Sequence, residues 1–550
     1  QLNSIYEYWK ENTDIMGALV SVHYNRVVPK SNRIKILLAE SGKKPVDSIC
    51  GAKFVWEEDS YGKKRQKHVF THFIKLNALI KSINILKVTA DIIEKDFSGE
   101  ITSDEVDVLM KGKIYPYTDI IAKTNLFFVL SDGLYVEYFG IDRVEEDIVD
   151  DAIITIYQTG VETKRLLNKF GINVFDDRII DGTTLRLHPD EVKLLYNKAP
   201  YLIAMGVRDF SNITIDEITD VGYETTLIPK PNNEPVIGVL DTQFDSKVYF
   251  SEWVEYKNLL DPNIPIEEED KRHGTAVSSI IVDGPRGNPK LDDGCGRFRV
   301  KHFGVATHKG FSSFAILKLI RQVVSENREI KVWNLSLGSA IEIKENFISP
   351  EAAELDRIQS EYDVIFVVAG TNIPRADVKK TMKIGSPADS LNSMVVNAVD
   401  INGESASYTR VGPVLSFFNK PDVSYYGGDW NSPEDKIIVC KDSLGAAYAV
   451  GTSYAAPWIA RKLAYLIYIM GLNREIAKAL IIDSAAGWDR RDDFSHKIGY
   501  GIVPKRIENI VNSGDDEIRF VMTGTTEEYE TYTFNLPVPV ENNKHPFYAR

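Results

Sequence analysis

The chain has 550 residues, with 65 basic and 79 acidic side chains and a formal net charge of −14. That balance argues against a dominant nucleic-acid-binding surface. With 43% hydrophobic and 26% charged residues, the composition is that of a folded protein with ample apolar material for its cores.

Length suggests roughly three or four domains. The three cysteines, Cys50, Cys295 and Cys440, are far apart and form no CxxC pair, so neither a zinc site nor a disulfide framework is expected. No window reaches the ~18 apolar residues of a membrane span. The opening QLNSIYEYWKENTD has neither a basic nor an apolar signal region. A reduced, cytoplasmic protein with no membrane contact is the expectation, and Gln1 in place of an initiator Met leaves room for residues ahead of it.

Residues 1–147 read as an α+β domain. GALVSVHYNRVV and KFVWEE alternate like strands, and FIKLNALIKSINILKV is helical. NLFFVLSDGLYVEYF reads as two strands joined by a hairpin turn at Ser131-Asp132-Gly133. The basic run KKRQKH (63–68) is expected to be a solvated loop. His68 and His72 read as two exposed histidines rather than a metal pair.

Residues 148–208 form a small α/β unit. A helix is predicted through DAIITIYQTGVETKRLLNKFG, ending at Gly171. A strand at TTLRLH, a helix from Pro189 and a strand at YLIAMGV follow. Residues 209–234 are polar, contain Pro-Lys-Pro and serve as a linker.

From 235 to 512 the texture changes. PVIGVLD, FRVKHFGVA, IKVWNLSLG, YDVIFVVAG and MVVNAVD are short apolar runs, several separated by helical stretches such as FAILKLIRQVVSEN and PEAAELDRIQSEY. Alternating buried strands and helices predict an α/β domain with a mainly parallel sheet covered on both faces. Ligands of such sheets sit at the carboxyl ends of the strands. The tail, 513–550, offers two alternating runs that either pair with an existing sheet or begin a β segment completed elsewhere.

Three residues near those strand ends carry complementary chemistry. Asp241 closes VIGVLD, His273 lies in RHGTAV, and Ser453 lies in GTSYAAP. Pro457 requires Ser453 to sit near a helix N-terminus, where main-chain amides favour a developing negative charge. A serine becomes nucleophilic when a neighbouring histidine takes its proton, and that histidine needs a carboxylate to hold its tautomer. Each residue alone reads better as a cap or turn residue; the three in one α/β layout point to hydrolysis.

The blocks VLDT, RHGTAV and GTSYAAP, in that order, resemble the three signatures of the subtilisin-like serine peptidases (subtilases). NLSLGS, GSPADSLNSMVVNAVD, ASYTRVGP with KPDV, and GYGIVPKR resemble the intervening segments, so the likeness spans about 235–510. It implies a subtilisin-like fold and an endopeptidase with Ser453 as nucleophile, His273 as general base then acid, and Asp241 as orienter. It also implies an oxyanion-hole asparagine, expected at Asn372 with Thr371 the competitor, because Ala-Gly-Asn is here Ala369-Gly370-Thr371-Asn372. Gln243 and Ala276 depart from the common pattern, which has Gly and His there.

The substrate is implied to be a protein or peptide laid along Ser336, Leu337 and Gly338 as an added strand. No cofactor is required. Many subtilases bind calcium, but Asp292-Asp293-Gly294 reads as a turn and no metal ligand is assigned. The unit at 180–208 resembles a subtilase propeptide that restrains the enzyme or supports it. The long N-terminal region implies regulation or substrate recruitment, and intracellular relatives of this kind suggest an AAA-type ATPase partner. The other readings are a peptide-binding pseudoprotease with an impaired oxyanion hole and a secreted, processed protease.

Overall fold

A computed structural model of the protein describes residues 1–58, 64–112, 114–143, 151–208, 218–220, 227–309, 312–344, 346–415, 417–430, 433–443, 445–485, 495–514, 519–525, 533 and 542. Residues 1–510 form one compact unit and 511–550 a second.

The N-terminal region comprises α1 (Leu2–Glu11), β1 (Ala18–Tyr24), β2 (Ile49–Glu58), β3 (Lys64–Ile74), α2 (Leu76–Asp96), α3 (Ser103–Lys111), α4 (Lys123–Tyr135) and β4 (Val136–Gly140). Its antiparallel sheet has the order β2-β3-β1-β4. Three expectations fail here. The Ser131–Gly133 turn lies inside α4, where buried Asp132 accepts hydrogen bonds from the amides of Lys35, Ile36 and Leu37. A tertiary demand for that carboxylate outweighs the turn signal. Residues 64–68 belong to β3, because pairing with β2 satisfies their main chain. His72 is buried, not exposed.

The small unit consists of β5 (Ala152–Ile156), α5 (Thr163–Lys169), β6 (Thr184–Leu187), α6 (Pro189–Lys198) and β7 (Ile203–Arg208). Here the helix expected from 148 fails: AIITI is the central strand of an antiparallel β6-β5-β7 sheet, and only 163–169 are helical. A short, mostly apolar run with four of its five residues buried suits a covered strand better than an amphipathic helix. The Trp9 ring meets Tyr201 edge-on at 5.0 Å, and Leu2 to Ile203 contribute to one hydrophobic cluster. Within the linker, β8 (Ile218–Asp220) is a strand.

The third region begins with β9 (Val236–Asp241), β10 (Val254–Asn258), α7 (Glu269–Gly287), β11 (Arg299–Gly304), α8 (Ser313–Glu326), β12 (Val332–Leu335) and α9 (Pro350–Tyr362). It continues with β13 (Ile365–Ala369), β14 (Met394–Val399), β15 (Val423–Tyr426), β16 (Ile437–Asp442), β17 (Gly445–Ala449), α10 (Thr452–Ala464) and α11 (Arg474–Ser484). Seven parallel strands run in the order β10-β11-β9-β12-β13-β14-β15. The predicted buried runs are its strands. Gly238 is required at the centre, because a Cβ there would come within 2.2 Å of the Trp333 ring. The hairpin β16–β17 leads into α10, and β8 pairs antiparallel with β17.

In the second unit, residues 519–525 have no regular secondary structure. The first expected tail strand is therefore not seen there, and the second lies outside the described residues.

Candidate active site

Strand β9 ends on Asp241, and α7 enters the same corner with His273 in its opening turns. Both are buried. Asp241 Oδ1 accepts from His273 Nδ1–H at 2.6 Å and from the Thr242 amide at 2.7 Å. Two further bonds lock the strand end to the helix: Gly274 N–H to Thr242 Oγ1, and Asp245 N–H to Thr275 Oγ1, each 2.9 Å. Gly274 has no room for a side chain, since a Cβ would lie 2.6 Å from Gln243 O and 2.7 Å from His302 Cε1.

That last contact bears on Ala276, where the common pattern has a second histidine. A buried imidazole does stand beside the site, supplied by His302 on β11. Its Nε2 donates to Thr242 O (2.8 Å) and its Nδ1 accepts from Ser278 Oγ (2.9 Å). Burial holds its pKa below the ordinary histidine value. Gln243, in place of glycine, is also accommodated. Its amide donates to Ala306 O, its carbonyl accepts from Tyr256 OH, and it fills the space left by Gly304.

Ser453 is buried just inside the N-terminus of α10. Neighbouring Tyr454 brings its ring within 5.8 Å of the His273 imidazole. Ser453 Oγ donates to Ser336 O at 3.4 Å, and Ser336 Oγ donates to Ser453 O at 3.3 Å. Pro457 lies in the second turn of α10 rather than the first, as expected from sequence. It has no N–H for the Ser453 carbonyl, so Ser336 supplies that donor.

The oxyanion candidates sit where β13 ends. Thr371 is left-handed (φ 67°), and its hydroxyl is committed on both sides: it donates to Gly370 O (2.6 Å) and accepts from Gly385 N–H (2.9 Å). The Asn372 side-chain oxygen accepts from the amide and hydroxyl of Thr452, at 3.2 and 2.9 Å. Its Nδ2 end is therefore the one chemically able to serve an oxyanion. Gly338 faces this loop, because a Cβ there would approach Thr371 Cγ2 to 2.4 Å. The structure thus brings Asp241, His273, Ser453, Asn372 and the Ser336–Gly338 segment around one corner of the sheet.

Elsewhere, Asp293 of the Asp-Asp-Gly turn is paired with the buried guanidinium of Arg461 (2.7 Å). Among the described residues, no cluster of His, Cys, Asp or Glu is arranged to hold a metal. No helix among them is long and apolar enough to cross a membrane. Sequence reasoning missed His302, and the available signal was a histidine inside the apolar run FRVKHFGVA.

A seven-stranded parallel sheet flanked by helices, with α10 packed against its central strands, is the architecture of the subtilisin-like fold class. Residues 232–501 match the model of the Subtilase family, and that region of the chain is a subtilisin-like serine protease domain. No curated protein matches the chain.

Among solved structures, the epidermin leader peptide processing serine protease (EpiP) from Staphylococcus aureus is 17% identical, with a TM-score of 0.46. The match covers 67% of this chain and 99% of that one. The patellamide maturation protease PatA is 17% identical (51% and 97% covered, TM-score 0.38). The prenylagaramide maturation protease PagA is 19% identical (51% and 93% covered, TM-score 0.38).

Proposed function

We propose that the chain is an endopeptidase acting through an Asp241–His273–Ser453 triad and an acyl-enzyme. The observation carrying this reading is the buried 2.6 Å Asp241–His273 hydrogen bond at the sheet edge that also holds Ser453. Asp241 holds the imidazole with Nδ1 protonated, so Nε2 can accept the Ser453 proton. Ser453 Oγ leaves Ser336 O and attacks the peptide carbonyl as its proton passes to Nε2. The resulting oxyanion is met by Asn372 Nδ2 and the Ser453 amide at the start of α10. Nε2 then protonates the amine as the C–N bond breaks, and water, deprotonated by the same nitrogen, releases the acyl group.

The committed Thr371 hydroxyl favours Asn372 as the donor. Ser336, Leu337 and Gly338 would hold the peptide as an added strand. Fluorophosphonate labelling tests the reading: wild type should label and Ser453→Ala should not. Equal labelling would sink the triad, and an unreactive wild type would favour a peptide-binding scaffold. Asn372→Ala should slow labelling by ~10²–10³-fold, as loss of one oxyanion donor does.

The reading extends to control by the N-terminal region. The 152–208 unit bonds to the helices covering the peptidase sheet through Asp181 with Arg357 (2.5 Å) and through Lys318 with the carbonyls of Asp176 and Asp177. Beyond it, β8 pairs with β17, which runs directly into the Ser453 helix. These contacts support a restraint carried in the same chain. Mass spectrometry of wild type against Ser453→Ala should detect a Ser453-dependent cut within 209–234 if the restraint is removed by cleavage. The reading also includes a reducing intracellular setting, in line with three unpaired thiols, and an AAA-type ATPase partner that co-purification would reveal.

A further inference from the structure

Arg410 is completely buried, yet each of its three guanidinium hydrogen bonds ends on a main-chain carbonyl. Nε donates to Asn372 O (2.9 Å), Nη2 to Ala340 O (2.9 Å) and Nη1 to Lys383 O (3.4 Å). These carbonyls belong to three separate segments, two of which also bond to the turn that carries Ser453, through Asn372 to Thr452 and Ser336 to Ser453. One is the loop after β13, one follows Gly338 on the peptide-binding segment, and the third pairs with that segment through Ser339 N–H to Ser386 O and Ile343 N–H to Ile384 O. Arg410 is itself held in place. Asn397 Nδ2 donates to Arg410 O (2.8 Å), and Asn372 pairs with Thr409 as an isolated bridge.

Burying a guanidinium costs several kcal/mol unless its donors are satisfied, and here the satisfying acceptors are functional loops rather than a carboxylate. The planar fork suits three carbonyls converging from different directions, which a lysine ammonium cannot span in the same way. The Asn372 loop needs such a brace. It holds a non-glycine residue in the left-handed region, and its side-chain oxygen is spent on Thr452. Gly370 ahead of it lies so close to Asn397 that a Cβ would fall 1.8 Å from Oδ1.

We propose that Arg410 is a positioning residue for the oxyanion hole: it fixes the main chain of Asn372 against the peptide-binding segment and so aims the Asn372 amide at the reacting carbonyl. This rests on Asn372 being the oxyanion donor, and the test separates the two. The rate of Ser453 labelling by a fluorophosphonate is measured against probe concentration for wild type, Arg410→Met, Arg410→Lys, Asn372→Ala and the Arg410→Met/Asn372→Ala double variant. Circular dichroism and Tm report folding for each.

Arg410→Met should lower the maximal labelling rate by ~10-fold or more, a share of the ~10²–10³ that a lost donor costs, with the half-saturating probe concentration changed little. In the Asn372→Ala background the same substitution should change the rate by less than ~2-fold, because residues acting through one another are not additive. An equal loss in both backgrounds, or no loss in a folded Arg410→Met, overturns the proposal. If Arg410→Met fails to fold, Arg410→Lys carries the same comparison with the same criteria. If Asn372→Ala leaves the rate unchanged, the oxyanion reading itself falls, whatever Arg410 does.

Discussion

Ser336 supplies the donor that Pro457 cannot give to the Ser453 carbonyl, while its own carbonyl receives the Ser453 hydroxyl. Ser336→Ala removes the first of these and should lower stability by ~1–3 kcal/mol, the usual cost of a stranded buried acceptor. A fall in Tm together with slower fluorophosphonate labelling checks it, and an unchanged Tm would mean that water replaces the hydroxyl. A second residue-scale effect concerns pH. Burial pushes the His72 imidazole down to about 4. The unfolded chain, with an ordinary histidine, binds a proton that the folded chain refuses between those values. Stability is therefore full above pH ~6.5 and declines toward pH 4, by about 3 kcal/mol from this group. His72→Leu should flatten the dependence of Tm on pH across that window.

At the scale of elements, the site is made by strand ends and helix starts whose main chains approach too closely for side chains. Gly274, Gly338 and Gly370 each sit where a Cβ would strike a neighbour within 2.6 Å. At Gly370 the obstacle is Asn397, which also holds the Arg410 carbonyl and that of Lys497. Gly370→Ala should destabilise by ~1–3 kcal/mol through overpacking and slow labelling by displacing Asn372. A variant that loses stability but labels normally would show that the loop absorbs the shift. Thr371 explains why the loop tolerates its additional residue. Its hydroxyl bridges Gly370 O and Gly385 N–H, tethering a left-handed turn that would otherwise be strained.

At the scale of the whole molecule, the small unit meets α8 and α9 through a few polar contacts, with Lys344 Nζ to Gly206 O (3.4 Å) a further one. Arg321 ties α8 to α9 through Glu354, and Glu354 also receives Arg357. The docking surface is thus a braced pair of helices. Joint Lys318→Ala and Arg357→Ala substitution should loosen the small unit, seen as faster limited proteolysis of 152–208. If that unit restrains the enzyme, labelling of Ser453 should accelerate as well. Unchanged proteolysis would place the stability of this arrangement in the apolar cluster shared by the first 203 residues.

The sequence by itself determined the class of fold and singled out the three residues of the proposed triad. Buried strands read as uninterrupted apolar runs, and Asp241, His273 and Ser453 lie in short blocks whose chemistry is local to them. Its errors came where local patterns are ambiguous: a largely buried strand at 152–156 looks like part of a helix, and the Ser-Asp-Gly at 131–133 looks like a turn. Tertiary structure alone decided what acts at a distance along the chain. His302 reaches Thr242 across 60 residues, Ser336 reaches Ser453 across 117, and Arg410 gathers carbonyls from positions 340, 372 and 383. Such contacts depend on three-dimensional closure of the sheet, and no spacing or periodicity in the chain records them.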